Sequence, residues 1–389
     1  MKRKLLILLS AILILFTSCD LSLKSAPKSK VYFIAAGLGF QNSPYRELKN
    51  PLHDAEAMVG QVQELCRQGG NDYEIIWYSD DQTVMNPNGT RLDGNDSSRF
   101  SFRHIDNGRL LSTTTFPDTI KNYKTADDFA RIFFEHVDSL LTTRPTENDL
   151  IIFYFSGHGI ATESIALRDG KTRWLQGGPI FYYGTETVKA ADNNQPDIDL
   201  SYFSPISYNN IFKYLDNYKG RQFCIFDCCY SGESVDNPAK ELYRYDHELG
   251  SLDNFAEFVT ADGRSDKYMG MNLFTFIGDS IDHTFDSSMV VIPKRICLNA
   301  ATYGQMAMDN DIKREPNITE YGGMTYRLLK YLGYDVQNQR PAVPNLLKKD
   351  VTASDLYLTV YNNISDTLIE TSTPNITRTS YDMLLWDLR

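Results

Sequence analysis

The stretch Ile151-Ile-Phe-Tyr-Phe-Ser-Gly-His-Gly159, entered through Asn148-Asp-Leu150, decides the fold. An unbroken apolar run of this length reads as a strand buried on both faces, the kind a parallel sheet uses. It stops at a histidine held between two glycines. A second stretch, Phe223-Cys-Ile-Phe-Asp-Cys-Cys-Tyr-Ser-Gly232, ends an apolar run in the same way, with cysteine. Functional groups in parallel α/β sheets gather at the carboxyl ends of strands. Two strand ends, one with an imidazole and one with a thiol, therefore mark a single candidate site.

Working outward, the pattern alternates strand and helix. Val31 to Ala36 reads as a strand ending at Gly37, and Met58, Val62 and Leu65 keep helical spacing after it. Tyr73 to Tyr78 is a second strand. Residues 79–115 are rich in Asn, Asp, Gly and Ser and read as an excursion. Thr125 to Leu141 is an amphipathic helix with Phe129, Ile132, Phe133, Val137, Leu140 and Leu141 on one face. A further polar excursion covers 160–205. Ser207 caps a short helix with Ile211 and Leu215, and the strand Gln222 to Phe226 follows. After a long insertion come a strand, Arg295 to Ala300, and a helix, Met324 to Leu332. Thr352-Ala-Ser-Asp355 has the form of a capping box before Leu356 and Val360. This order predicts an α/β fold with a mainly parallel central sheet flanked by helices. It occupies 31–365, with insertions near 80–115, 160–205 and 233–290 and a tail at 366–389. Neither an internal repeat nor a second domain is evident.

The 389 residues carry a net charge of −11 and no basic run, which argues against a nucleic-acid partner. The start differs from the rest. Met1-Lys-Arg-Lys4 precedes an apolar stretch from Leu5 to Phe16, then Thr17-Ser-Cys19. A basic start, a short apolar run and small residues at a cleavage point read as an export signal, and the run is too short to span a bilayer comfortably. It is similar to a bacterial lipoprotein signal over 1–19, in which Cys19 would be lipidated, with 20–30 as a polar tether. That implies a cell-envelope protein held to a membrane by a lipid anchor. Six cysteines (Cys19, Cys66, Cys224, Cys228, Cys229 and Cys297) form neither a disulfide framework nor a CxxC metal pattern. Cys224 and Cys297 read as core.

The glycines around His158 allow a sharp turn and close approach of a substrate. They also leave the Gly159 N–H open as an oxyanion donor. A thiol at the end of a neighbouring strand then suffices for acyl transfer: His158 takes or holds the thiol proton, and the thiolate attacks a carbonyl. Strand alternation turns Cys228 to one side and Asp227 with Cys229 to the other. Cys229 is therefore the expected nucleophile. Asp227, on the same side, is expected to line a pocket for a cationic side chain.

Phe155-Ser-Gly-His-Gly159 and Asp227-Cys-Cys-Tyr-Ser-Gly232 resemble the two signature blocks of caspase-like cysteine peptidases, nearest to metacaspases and bacterial caspase-like proteins. Asn50-Pro-Leu-His-Asp-Ala-Glu-Ala-Met58, Asn299-Ala-Ala-Thr-Tyr-Gly304 and Gly323-Met-Thr-Tyr-Arg-Leu-Leu329 are similar to weaker family segments. The resemblance implies a caspase-like sandwich, a His158–Cys229 dyad, and the N–H groups of Gly159 and Cys229 as oxyanion hole. It implies Asp227 as receptor for a P1 Arg or Lys, with Asp54 a second acid in that pocket. Tyr230 departs from the histidine usual after the nucleophile. No cofactor is required by this reading. Calcium, used by many metacaspases, has only Asp236 near a matching place, and Asp192, Asp197 and Asp199 match poorly. The expectation is an exported cysteine endopeptidase acting on proteins or peptides, able to cut itself at Lys240, Arg244, Arg264 or Lys267. A transpeptidase of the same chemistry and a non-catalytic binding protein are the alternatives. The oligomeric state has no signature in the sequence.

Overall fold

The computed structural model describes residues 29–40, 47–81, 100–115, 126–161, 163–166, 172–175, 177–183, 203–235, 294–302, 305–307, 320–346, 350–363, 372–377 and 382–388. The leader with Cys19, the tether as far as residue 28, most of the 233–290 insertion with its four basic residues, and Asp192, Asp197, Asp199 and Asp236 lie outside them; Ser29 and Lys30, at the end of the expected tether, are described, and Lys30 is paired with Glu74. No helix among the described residues is long and apolar enough to cross a membrane.

The apolar runs form a parallel core. Strands β1 (Val31–Gly37) and β2 (Tyr73–Ser79) pair in parallel. An antiparallel hairpin, β3 (Ser101–Asp106) and β4 (Arg109–Thr115), extends that edge. On the other side of β1 lies β5 (Leu150–Ser156). Beyond β5, short strands β6 (Gly159–Ile160), β9 (Gly178–Tyr183) and β10 (Phe203–Pro205) make a small sheet, while β7 (Glu163–Ala166) and β8 (Thr172–Leu175) pair with each other. Strands β11 (Arg221–Asp227) and β12 (Arg295–Asn299) continue the main sheet, and β13 (Asp350–Thr352) stands apart from it. Two strands follow from the C-terminal region: β14 (Asn375–Ile376) closes the far edge of the main sheet, and β15 (Leu384–Asp387) pairs with β13. The main sheet has the order β14-β12-β11-β5-β1-β2-β3-β4.

Alternation along each strand supplies the two faces. Val31, Phe33 and Ala35 join a core with helices α1 (Asn50–Gly69), α4 (Gly323–Tyr331) and α5 (Ala353–Asn362). Tyr32, Ile34 and Ala36 join the opposite core with α2 (Ala126–Leu140) and α3 (Tyr208–Leu215). The capping box at Thr352 and Asp355 forms at the start of α5, and Ser207 caps α3 through Asn210 N.

Two boundaries differ from the expectation. Residues 101–115 are not an excursion but two strands of the main sheet. Their polar residues hide the signal because one strand is an edge. The segment after 365 is not a tail: β14 and β15 both pair, and strands of two and four residues are too short to show a period.

At the amino end of β2, Glu74 is fully buried. Its carboxylate meets the Lys30 ammonium at 2.7 Å and His104 Nε2 at 2.8 Å, and it accepts from the N–H and hydroxyl of Thr142. Burial alone would push this carboxyl up. The hydrogen bonds from His104, Lys30 and Thr142 outweigh it and hold the group down to about 2. A depressed carboxylate contributes stability that is whole above the ordinary carboxylate range and is lost as pH falls toward about 2. Glu74→Gln is expected to lose about 3 kcal/mol near neutrality, since it strands buried partners. Urea unfolding at several pH values checks this, and the variant's stability should be flatter than the parent's between the ordinary range and the lowered value.

Candidate active site

The two signature blocks end adjacent parallel strands. Phe155 pairs with Phe226 and Ser156 with Asp227. Just past that register, Gly157 N–H donates to the Asp227 carbonyl at 3.3 Å. His158 and Cys229 stand two residues beyond the last pair, one on each strand. The chains then touch: a Cβ built on Gly159 would run into the Cys229 carbonyl oxygen and lie 3.1 Å from Cys228 Sγ. Glycine at 159 is thus demanded by backbone contact between the two blocks.

The vicinal cysteines part as alternation requires. Cys228 is 1% exposed, belongs to the core under α2 and α3, and lies 3.6 Å from the Tyr208 hydroxyl. Burial pushes its thiol well above the ordinary range, which leaves it inert. Cys229 is half-buried, and its thiol points to the Ala307 carbonyl at 3.9 Å. Tyr230 takes the left-handed conformation, φ 57°, and its N–H donates to the Gln305 carbonyl at 2.8 Å. Ser231 is buried and accepts from Ala301 N–H at 3.1 Å. Ala301, Gln305 and Ala307, after β12, thereby hold the thiol's loop through three contacts. Tyr230 tolerates a conformation costing roughly 1–2 kcal/mol because those contacts fix it.

The imidazole is held from another direction. The His158 ring meets the Phe40 ring edge-on, centroids 4.6 Å apart at 74°. Phe40 is itself left-handed, φ 59°. Its N–H and that of Gly39 donate to the two oxygens of buried Asp80, at 2.8 and 2.7 Å. Strain next to a site is informative when it is observed, and here it flanks both halves. Nothing in the sequence singled out Phe40 or Asp80. The one available signal was an aspartate directly after the β2 apolar run. Phe40→Ala is expected to lower kcat about tenfold with KM little changed, as loss of one aromatic contact and its ring orientation would. Asp80→Ala should do the same. A fluorogenic peptide assay beside a melting curve separates this from unfolding, and a loss confined to KM would contradict it.

The acids converge at the start of α4. Asp227 Oδ2 accepts from Thr325 N–H at 3.0 Å and Thr325 hydroxyl at 2.7 Å. Asp54, at 1% exposure, accepts from Ser156 hydroxyl at 2.8 Å and Gly322 N–H at 2.9 Å. A Cβ on Gly322 would stand 2.9 Å from Asp54 Oδ2 and 3.0 Å from Asp227 Oδ2. The two carboxylates therefore flank one point, and the helix N-terminus favours their charge. Behind them Tyr154 bonds Thr325 at 2.7 Å; burial, then both carboxylates, push its phenol well up. Arg327, one turn along α4, is lowered to about 10 by burial, with Asp227 opposing. Gly322, Thr325 and Arg327 were not read as site residues; only the segment from Gly323 was marked, through its likeness to a family helix start.

The sequence model of the caspase domain family matches residues 38–379. The chain belongs to the caspase domain family of cysteine peptidases. The match runs past residue 365, in keeping with β14 sitting in the main sheet. No curated protein matches. Among solved structures, a secreted C11 cysteine protease from Bacteroides thetaiotaomicron, in complex with an irreversible peptide inhibitor, is similar over 92% of this chain and 89% of that one, at 10% identity and a TM-score of 0.29. A caspase domain peptidase acts on protein or peptide substrates by thiol chemistry. In this chain the two blocks meet at the strand ends where such chemistry is expected. Among the described residues no cluster of three His, Cys, Asp or Glu is arranged to hold a metal ion.

Proposed function

We propose that the protein is an exported endopeptidase that cleaves after Arg or Lys, with Cys229 as nucleophile and His158 as its base. The observation that supports this reading is the parallel pairing of β5 and β11, whose ends bring the His158 and Cys229 blocks into backbone contact at Gly159, with Asp54 and Asp227 both bonded at the start of α4. His158 removes the thiol proton as sulfur attacks the scissile carbonyl, and the N–H groups of Gly159 and Cys229 receive the oxyanion. The amine leaves with the proton from His158. Water then hydrolyses the thioester, again through the oxyanion.

Specificity follows from charge. Asp54 and Asp227 supply two negative charges beside Gly322, and Arg327 lies within Coulombic range of Asp227. An acidic pair of this kind suits a cationic side chain. The leader favours export with Cys19 as lipid anchor, so the catalytic domain would work at a membrane surface. Self-cleavage within 233–290 is the natural means of activation, and any calcium dependence would come through Asp236.

A panel of fluorogenic peptides differing only at P1 tests this reading. Arg and Lys peptides should be cut and Asp or Ala peptides not. Preference for Asp, or hydrolysis of all four alike, would overturn it.

A further inference from the structure

Among the described residues, seven buried side-chain nitrogen or oxygen atoms have no hydrogen-bond partner, and five of them lie together. They are Trp77 Nε1, Ser101 Oγ, Arg103 Nε and Nη2, and Thr113 Oγ1. Register explains the grouping. Trp77 on β2 pairs with Arg103 on β3, and Arg103 pairs with Thr113 on β4. Ser101 shares that face of β3, two residues away. It is the face whose Ile105 packs on the core around α1. The guanidinium carbon lies 3.2 Å from the centroid of the Trp77 ring. Trp77 is 8% exposed and Ser101 fully buried.

All five atoms can donate, and the indole and guanidinium nitrogens can do nothing else. A buried donor left unpaired costs roughly 1–3 kcal/mol, and native folds keep few of them. Three such donors beside a guanidinium with two unpaired nitrogens of its own call for a shared acceptor. The Nε and Nη2 edge is the side of arginine that takes a planar oxyanion through two parallel hydrogen bonds. We propose that this row binds a small oxyanion group, a carboxylate or a phosphate, with Arg103 as the fork and Trp77, Ser101 and Thr113 completing its shell. Among the described residues, Asp81 and Glu56 are the acids within Coulombic reach of the guanidinium. Their charge limits affinity and favours a monoanion over a dianion.

The site is distinct from the peptidase centre. Ser101, Ser79, Gly37, Ser156 and Asp227 stand level on five successive strands. Ser101 is therefore four strand spacings from Asp227, about 19 Å. Helix α1 crosses between them, with Pro51 and Ala55 against Gly37. The ligand would meet the enzyme behind α1, the helix that carries Asp54.

The test uses the full chain with Cys229→Ala, labelled with nitrogen-15, at constant ionic strength. Sodium acetate is titrated in one arm and inorganic phosphate in the other. The Trp77 indole and Arg103 Nε–H resonances should shift to saturation, with Trp77→Phe assigning the indole signal. Acetate is expected to saturate at lower concentration than phosphate; saturation by either supports an oxyanion site and names its source. The midpoint should rise at least tenfold in Arg103→Gln. Thr113→Val, which keeps the branched shape on β4, should raise it about threefold and decides the matter if the arginine variant does not fold. If neither anion saturates, or the variants titrate as the parent does, the proposal is wrong.

Discussion

Cys229→Ala is expected to abolish peptide hydrolysis, while Cys228→Ala leaves kcat within about twofold of the parent. Removing a nucleophile that works as a unit with its base costs roughly 10⁴–10⁶ in rate. The neighbouring thiol does a different job. Cys228 is packed in the core with Tyr208 and held protonated by burial. Its loss should appear in stability, at about 1 kcal/mol for so small a truncation, and barely in turnover. Steady-state rates and melting curves on both variants separate the two roles. The reverse pattern, with Cys228→Ala dead and Cys229→Ala active, would make Cys228 the nucleophile and contradict the role of Cys229.

Asp227→Asn should lower kcat/KM for Arg and Lys substrates by about 10²-fold, the effect of removing one side of a desolvated charge pair. The change is nearly isosteric, and asparagine's oxygen can still accept from Thr325, so the start of α4 should survive. The sharper readout is a ratio. A citrulline peptide has the shape of arginine without its charge. The parent should prefer arginine strongly, and Asp227→Asn should nearly erase that preference. Asp54→Asn should act less on the ratio and more on the melting temperature, because Asp54 is buried and ties Ser156 to Gly322. An unchanged arginine-to-citrulline ratio in Asp227→Asn would place the specificity elsewhere.

What was legible in the sequence follows from where each signal resides. The five parallel strands were readable because burial on both faces demands continuous apolar runs, as in Leu150–Ser156. The divergence of Cys228 and Cys229 was readable from a period of two. The hairpin at 101–115 was not, since Arg103, His104, Thr113 and Thr114 break the apolar pattern, and their register partners lie on other strands. Asp80 and Phe40 were invisible for another reason. Their importance rests on a left-handed turn and on contacts across the sheet, and neither leaves a local mark. Gly322 is similar: its lack of a side chain matters only because Asp54 and Asp227 arrive from distant parts of the chain. Family likeness reached Asp54 and Asp227, whereas spacing alone reached only Asp227.

The most direct test is covalent labelling of the parent protein with thiol-reactive arginyl, lysyl and aspartyl peptide probes, with the modified residue located by mass spectrometry. Arginyl and lysyl probes should modify Cys229 and no other cysteine, and His158→Ala should slow that labelling sharply. The aspartyl probe should leave the protein untouched. Modification of Cys228, or arginyl labelling at an equal rate in His158→Ala, would contradict the claim that His158 and Cys229 act together over an acidic pocket.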